Sequence, residues 1–213
     1  LKKKKMKLLD KSQLNLAKVD KKFFPFFHVR NALSNDFDPL DLVNDFPDIK
    51  SGGSFPSDNL EEGFIKKLVQ ELEGDKFKII LEDKLEINLK DAEAVTTLRG
   101  FSRTKDGKVH TDSQSKIVAV LLYLNTNWDN TIGNLRLLKE NNNLDNYIQE
   151  ISSKYGNLVA FKVTDNCWHG FKPYEGKRLS IQLNYVYPKS LNAHKFRHKL
   201  SSLIKKIKSG SSS

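Results

Sequence analysis

The stretch Arg178-Leu179-Ser180-Ile181-Gln182-Leu183-Asn184-Tyr185 alternates polar and apolar side chains at period two, as a strand with two unlike faces does. Leu179, Ile181, Leu183 and Tyr185 form the apolar face, and Arg178, Ser180, Gln182 and Asn184 the other. Working back along the chain, strands are predicted at residues 158–163, 134–138, 117–124 and 95–101, and also at 85–89 and 76–81, with Asp106-Gly107 as a hairpin turn. Helices come earlier. Asp38 followed by Pro39 predicts an N-cap and first helical residue, and Pro47 closes that short helix. Asp58 and Glu61 have capping-box spacing, and Leu60, Phe64, Leu68 and Leu72, with Ile65 and Val69 beside them, recur at helical spacing up to Gly74. Residues 23–29, interrupted by Pro25, read as an edge strand. Many short strands after two or three helices predict a mainly β fold with flanking helices, a double-stranded β-helix of jelly-roll or cupin-like type.

A chain of 213 residues with 38% hydrophobic content supports one sizeable core. Cys167 is its only cysteine, so an intrachain disulfide and a thiolate metal cage are both excluded. There is no apolar run of about 18 residues, nor an apolar signal core after the basic start, so no membrane span and a cytoplasmic location are expected. The net charge of +10 is unevenly spread. Residues 1–22 carry nine Lys against two Asp and residues 189–213 carry seven Lys or Arg and no acid, whereas residues 23–188 hold 20 basic and 24 acidic side chains. The expected organisation is a basic extension (1–22), a folded domain (23–190) and a basic helical tail (191–213) striped by Leu200, Leu203, Ile204 and Ile207. Nucleic acid is not an expected partner, because the middle of the chain lacks the positive excess that phosphate binding needs.

In Val109-His110-Thr111-Asp112, His110 and Asp112 are two residues apart, so an extended backbone turns both to one face. A third donor, His169, lies in Asn166-Cys167-Trp168-His169-Gly170, just after a predicted strand. Two histidines and one carboxylate are the facial ligand set of non-haem iron(II) oxygenases, which leaves coordination positions open. A closed structural site would need a fourth ligand, and no further Cys or His stands in these motifs. His28, His194 and His198 receive no role. Arg136 is expected in a salt bridge, Trp128 and Trp168 either in the wall of a substrate pocket or in packing that keeps water out, and Cys167 as a small buried neighbour.

Taken in order, His110-x-Asp112, Leu121-Leu122-Tyr123-Leu124-Asn125, Gly133-Asn134-Leu135, Gly156-x-Leu158-Val159-Ala160-Phe161, Trp168-His169-Gly170 and Gly176-Lys177-Arg178-Leu179-Ser180 resemble the 2-oxoglutarate/Fe(II)-dependent dioxygenases. The pattern is nearest to their prolyl-4-hydroxylase-like branch, with Ile132 where that family usually has a second glycine. The resemblance implies Fe(II) on His110, Asp112 and His169. It also implies 2-oxoglutarate as co-substrate, its far carboxylate on Arg178 with help from Tyr123 and Ser180, dioxygen as oxidant and ascorbate as an accessory reductant. The implied reaction is hydroxylation of a peptide side chain or a small molecule, with release of succinate and CO2. Related halogenases lack the carboxylate that Asp112 supplies, which favours hydroxylation. Two other readings stand beside it. One is a nucleic-acid demethylase of the alkylation-repair type, although Asn184 occupies the place of that group's second arginine; the other is a catalytically silent jelly-roll binding module.

Overall fold

A computed structural model describes residues 6–188. Seven strands form the larger sheet, in the order β1 (Val19–Asp20), β2 (Phe26–Val29), β8 (Leu158–Lys162), β5 (Lys116–Tyr123), β10 (Gly176–Val186), β4 (Glu93–Ser102) and β3 (Phe55–Pro56). The smaller sheet has the order β7 (Tyr147–Ile151), β6 (Leu135–Leu138), β9 (His169–Gly170). All pairs of these strands are antiparallel. The period-two alternation of β10 gives each face of the large sheet its own partner. Leu179, Ile181, Leu183 and Tyr185 join Val118, Val120, Leu122, Leu158 and Ala160 against the helices. Ala119, Tyr123, Val159 and Phe161, on the opposite face, pack with Leu135, Leu137 and Ile151 of the smaller sheet. This is the expected jelly-roll arrangement, two sheets with helices on one side.

The helical layer consists of α1 (Lys11–Leu16), α2 (Pro39–Asp45), α3 (Phe64–Glu73) and α4 (Asp75–Leu85). Asp38 caps α2 through Leu40 N at 2.8 Å, as its sequence predicts. Three expectations about these elements are corrected here, and two more below. Residues 76–81 do not form a strand, because Phe77, Ile80, Leu81 and Leu85 recur at helical spacing and are buried as one face of α4; residues 86–89 follow its C-cap, Glu86, as a turn and loop rather than a strand. The Asp58/Glu61 capping box does not form, since α3 starts only at Phe64; its Ile65 N instead donates to Asp45 Oδ2, 2.7 Å away, at the end of α2. Residues 26–29 are not an edge strand, having β8 on one side and β1 on the other.

The charge-based boundary at residue 22 cuts through packed structure. Leu8, Leu9 and Leu14 are buried in the helix-side core, and Leu8 N and Leu9 N both donate to the Glu71 carboxylate. The helical tail expected at 191–213 lies outside the described residues.

Asp106-Gly107 does not join two neighbouring strands, because β10 lies between β4 and β5. Asp106 instead pins Arg103, accepting from its N, Nε and Nη2 at 2.9, 3.1 and 2.7 Å. Gly107 has φ +82°, where a side chain would also run into the Phe171 ring, and its carbonyl accepts from Phe171 N at 2.9 Å. The turn therefore carries the chain from the large sheet to the small one. That crossing brings His110 beside His169.

Candidate active site

His110 and His169 form an isolated antiparallel bridge, each donating its N–H to the other's carbonyl at 3.0 Å. Their rings lie 4.3 Å apart, and one ligand atom from each of His110, Asp112 and His169 falls within 4.8 Å of the others. The remaining ring nitrogens are committed to the backbone. His110 Nδ1 donates to Lys108 O and His169 Nδ1 to Cys167 O, both at 2.8 Å, so each Nε2 keeps its lone pair for the common centre. Burial, reinforced by His110, pushes the His169 imidazole well below its ordinary pKa and keeps it neutral, the state a metal requires. Burial would push the Asp112 carboxyl up, but Lys116, with His169 and His110, outweighs it and holds the group below its usual value. Lys116 Nζ binds Asp112 Oδ1 at 2.6 Å, while Asp112 Oδ2 is buried with no hydrogen-bond partner among the described residues. Two imidazole nitrogens facing one centre and an unspent carboxylate oxygen suit a divalent cation such as Fe(II). His110 is exposed and His169 buried, so the cluster opens to one side.

Deeper in, Arg178 is 5% exposed, with its guanidinium between the rings of Phe171 (4.2 Å) and Tyr123 (5.0 Å). Its Nε donates to Gly133 O at 2.9 Å and Ser153 Oγ at 3.1 Å, and Nη2 reaches the Tyr123 hydroxyl at 3.3 Å. One edge of the guanidinium is thus held by protein; a fork of this kind can grip a carboxylate. Ser180 Oγ, across the ladder from Tyr123, is buried with no partner among the described residues and can add a donor. The motif around Gly133 now has a physical use. Asn134 Oδ1 accepts from Trp128 Nε1 at 2.8 Å and Ser153 N at 3.2 Å, setting the loop whose carbonyl holds Arg178.

The structure therefore brings all six expected residues to one interior, as a three-donor cluster and an arginine pocket. Sequence reading missed Arg99, Lys116, Ser153 and Phe171, which share that interior without belonging to a short motif. Only the parity of Arg99 along β4 could have pointed to it. Arg136 pairs with Glu150 and Asp145, both at 2.6 Å, as expected. Cys167 and Trp128 are buried, and His28 is held between Asn157 and Gln149, away from the cluster. His194 and His198 lie outside the described residues. Among the described residues no helix is long and apolar enough to cross a membrane.

Residues 99–186 match the family described as the 2OG-Fe(II) oxygenase superfamily. No curated protein matches the chain. Among solved structures, a prolyl 4-hydroxylase from Phytophthora capsici is similar at 16% identity and a TM-score of 0.55, over 87% of this chain and 68% of that one. The viral collagen prolyl hydroxylase of Paramecium Bursaria Chlorella virus-1, in its 2OG complex, is similar at 12% identity and a TM-score of 0.54, over 79% and 97%. HygX of Streptomyces hygroscopicus, with nickel and 2-oxoglutarate bound, gives 10% identity and a TM-score of 0.55, over 84% and 87%. At these identities the likeness speaks to the fold.

Proposed function

We propose, for a chain whose residues 99–186 match the 2OG-Fe(II) oxygenase superfamily, that His110, Asp112 and His169 hold Fe(II), that Arg178 with Tyr123 and Ser180 holds the far carboxylate of 2-oxoglutarate, and that the product is a hydroxylated peptide side chain or small molecule. The single observation behind the site is the convergence of three ligand atoms within 4.8 Å at the seam between the sheets. When bound, iron with 2-oxoglutarate and dioxygen supplies the oxidising power, releasing succinate and CO2.

The protein's own part is positioning and shielding. Backbone carbonyls fix both imidazole tautomers in advance, and Lys116 fixes the Asp112 rotamer through one oxygen while leaving the other free. Phe161, 4.9 Å from the His169 ring, and Phe171 over Arg178 wall the interior against water. The exposed His110 side is the approach for substrate. Demethylation of nucleic acid and a silent binding role are not favoured. The first would want a second arginine where Asn184 stands, and the second a fourth ligand in the cluster. A cytoplasmic location belongs to the same reading, and it accords with a lone, buried cysteine.

Calorimetric titration with Mn(II), a redox-inert stand-in, and then with 2-oxoglutarate tests the site. Succinate release with Fe(II) over a panel of peptides and metabolites tests the reaction. His110→Ala, Asp112→Ala and His169→Ala should each lose metal affinity and succinate release together. Parent-like metal binding and turnover in any of the three would overturn the assignment.

A further inference from the structure

Arg99 occupies the inner face of β4, in step with Thr97 and out of step with Leu98, which packs against the helices. It stands opposite Ser180 on β10, which in turn stands opposite Tyr123 on β5. Arg99 is therefore beside the pocket assigned to 2-oxoglutarate. Its Nε is buried and has no hydrogen-bond partner among the described residues. Burial, and next the positive charge of Arg178, push this guanidinium down from its ordinary value, while Asp106, Tyr123 and Asp112 act the other way. The side chain as a whole is half-buried, but a guanidinium does not shed its proton in a protein, so its buried edge is costly to leave without an anion.

The anions nearby are already committed. Asp106 binds Arg103 through three hydrogen bonds, and Asp112 binds Lys116. Fe(II) and 2-oxoglutarate carry equal and opposite charges, so loading both brings no net anion, and the far carboxylate of the co-substrate has Arg178. Arg99 is left with its charge unmatched. What remains to enter the interior is the substrate. Resting on the site reading above, we infer that the primary substrate carries a carboxylate, and that Arg99 binds it, with the part-exposed Gln182 as a polar neighbour on β10. One planar fork suits a carboxylate; a phosphate dianion draws on more cations than a single arginine. Arg99 would thus select acidic small molecules, or peptides presenting a carboxylate near the oxidised carbon, over neutral ones.

The test uses the full chain loaded with Mn(II) and saturating 2-oxoglutarate, with acetate as the probe. Mn(II) broadens the methyl resonance of acetate held nearby. The parent should hold acetate about tenfold or more tighter than Arg99→Gln, the loss expected for one charged hydrogen-bonding partner, and Arg99→Lys should recover part of it. All three proteins should bind Mn(II) and 2-oxoglutarate alike. Succinate release with N-acetyl amino acids and C-terminally free peptides, each against its amide, then distinguishes a small acid from a peptide terminus. Equal acetate affinity in parent and Arg99→Gln overturns the proposal. So does a tenfold loss of 2-oxoglutarate affinity in Arg99→Gln, which would make Arg99 a co-substrate residue, or a preference for the amides. A parent that fails to bind Mn(II) would sink the metal-site reading itself, whereas failure of the acetate arm on a Mn(II)-loaded protein sinks this inference alone.

Discussion

Arg178 donates to Gly133 O and Ser153 Oγ and, in the proposed reading, also holds 2-oxoglutarate; substitutions can separate the two. Arg178→Ala should leave Mn(II) affinity near the parent's and weaken 2-oxoglutarate by about 2–5 kcal/mol, the cost of removing one partner of a buried charge pair. Arg178→Lys should restore only part of this, because an ammonium cannot both donate to Gly133 O and present a fork. Calorimetry of metal and then 2-oxoglutarate reads both, and parent-like 2-oxoglutarate affinity in Arg178→Ala would remove the residue from the site. Gly133 has φ +79°, and a Cβ there would meet the Tyr174 and Trp128 rings. Gly133→Ala should therefore cost about 1–3 kcal/mol of stability in denaturant titration and weaken 2-oxoglutarate, since the displaced carbonyl is the one that steadies Arg178. At this scale the sequence was readable for the cluster of His110, Asp112 and His169: the first two stand two residues apart, and the third is marked by its own short motif. It was silent on Ser153 and Phe171, whose roles exist only through contacts with Arg178, 25 residues upstream and on an adjoining turn.

Among the elements, the N-terminal segment departs most from its sequence reading. Its lysines suggest a solvated extension, yet Leu8 and Leu14 are fully buried. Leu14→Ala should destabilise the protein by about 2–5 kcal/mol, as cavity-forming core truncations do, with a matching fall in Tm. A change under about 0.5 kcal/mol would return the segment to the status of an appendage. Asp45→Ala should cost about 0.5–2 kcal/mol, because Asp45 supplies the cap that the start of α3 lacks in its own sequence. Helix α4 was hidden by one residue. Ile79 is 61% exposed, and its presence turns the buried pair Phe77 and Leu81 into an apparent strand alternation. Helical and strand periods are not separable over so short an apolar run; packing against the sheet decides between them.

For the molecule as a whole, the charge lies at the ends of the sequence. Residues 6–188 contain 25 basic and 26 acidic side chains, so protein trimmed to them should show no salt-dependent affinity for DNA or RNA in binding assays at 50 and 200 mM salt. Tight binding that falls steeply with salt would overturn the view that the barrel ignores nucleic acid. What the sequence by itself determined was the jelly-roll class, the capped α2 and the His/Asp/His donor set, because these depend on short-range pattern: period-two strands, an Asp-Pro cap, a His-x-Asp pair. What only the tertiary structure decided was the company those residues keep. The crossing at Gly107 sets His110 against His169, 59 residues away, and the ladder sets Arg99 against Ser180. Such pairings depend on strand order and register across the sheet, which no local periodicity encodes.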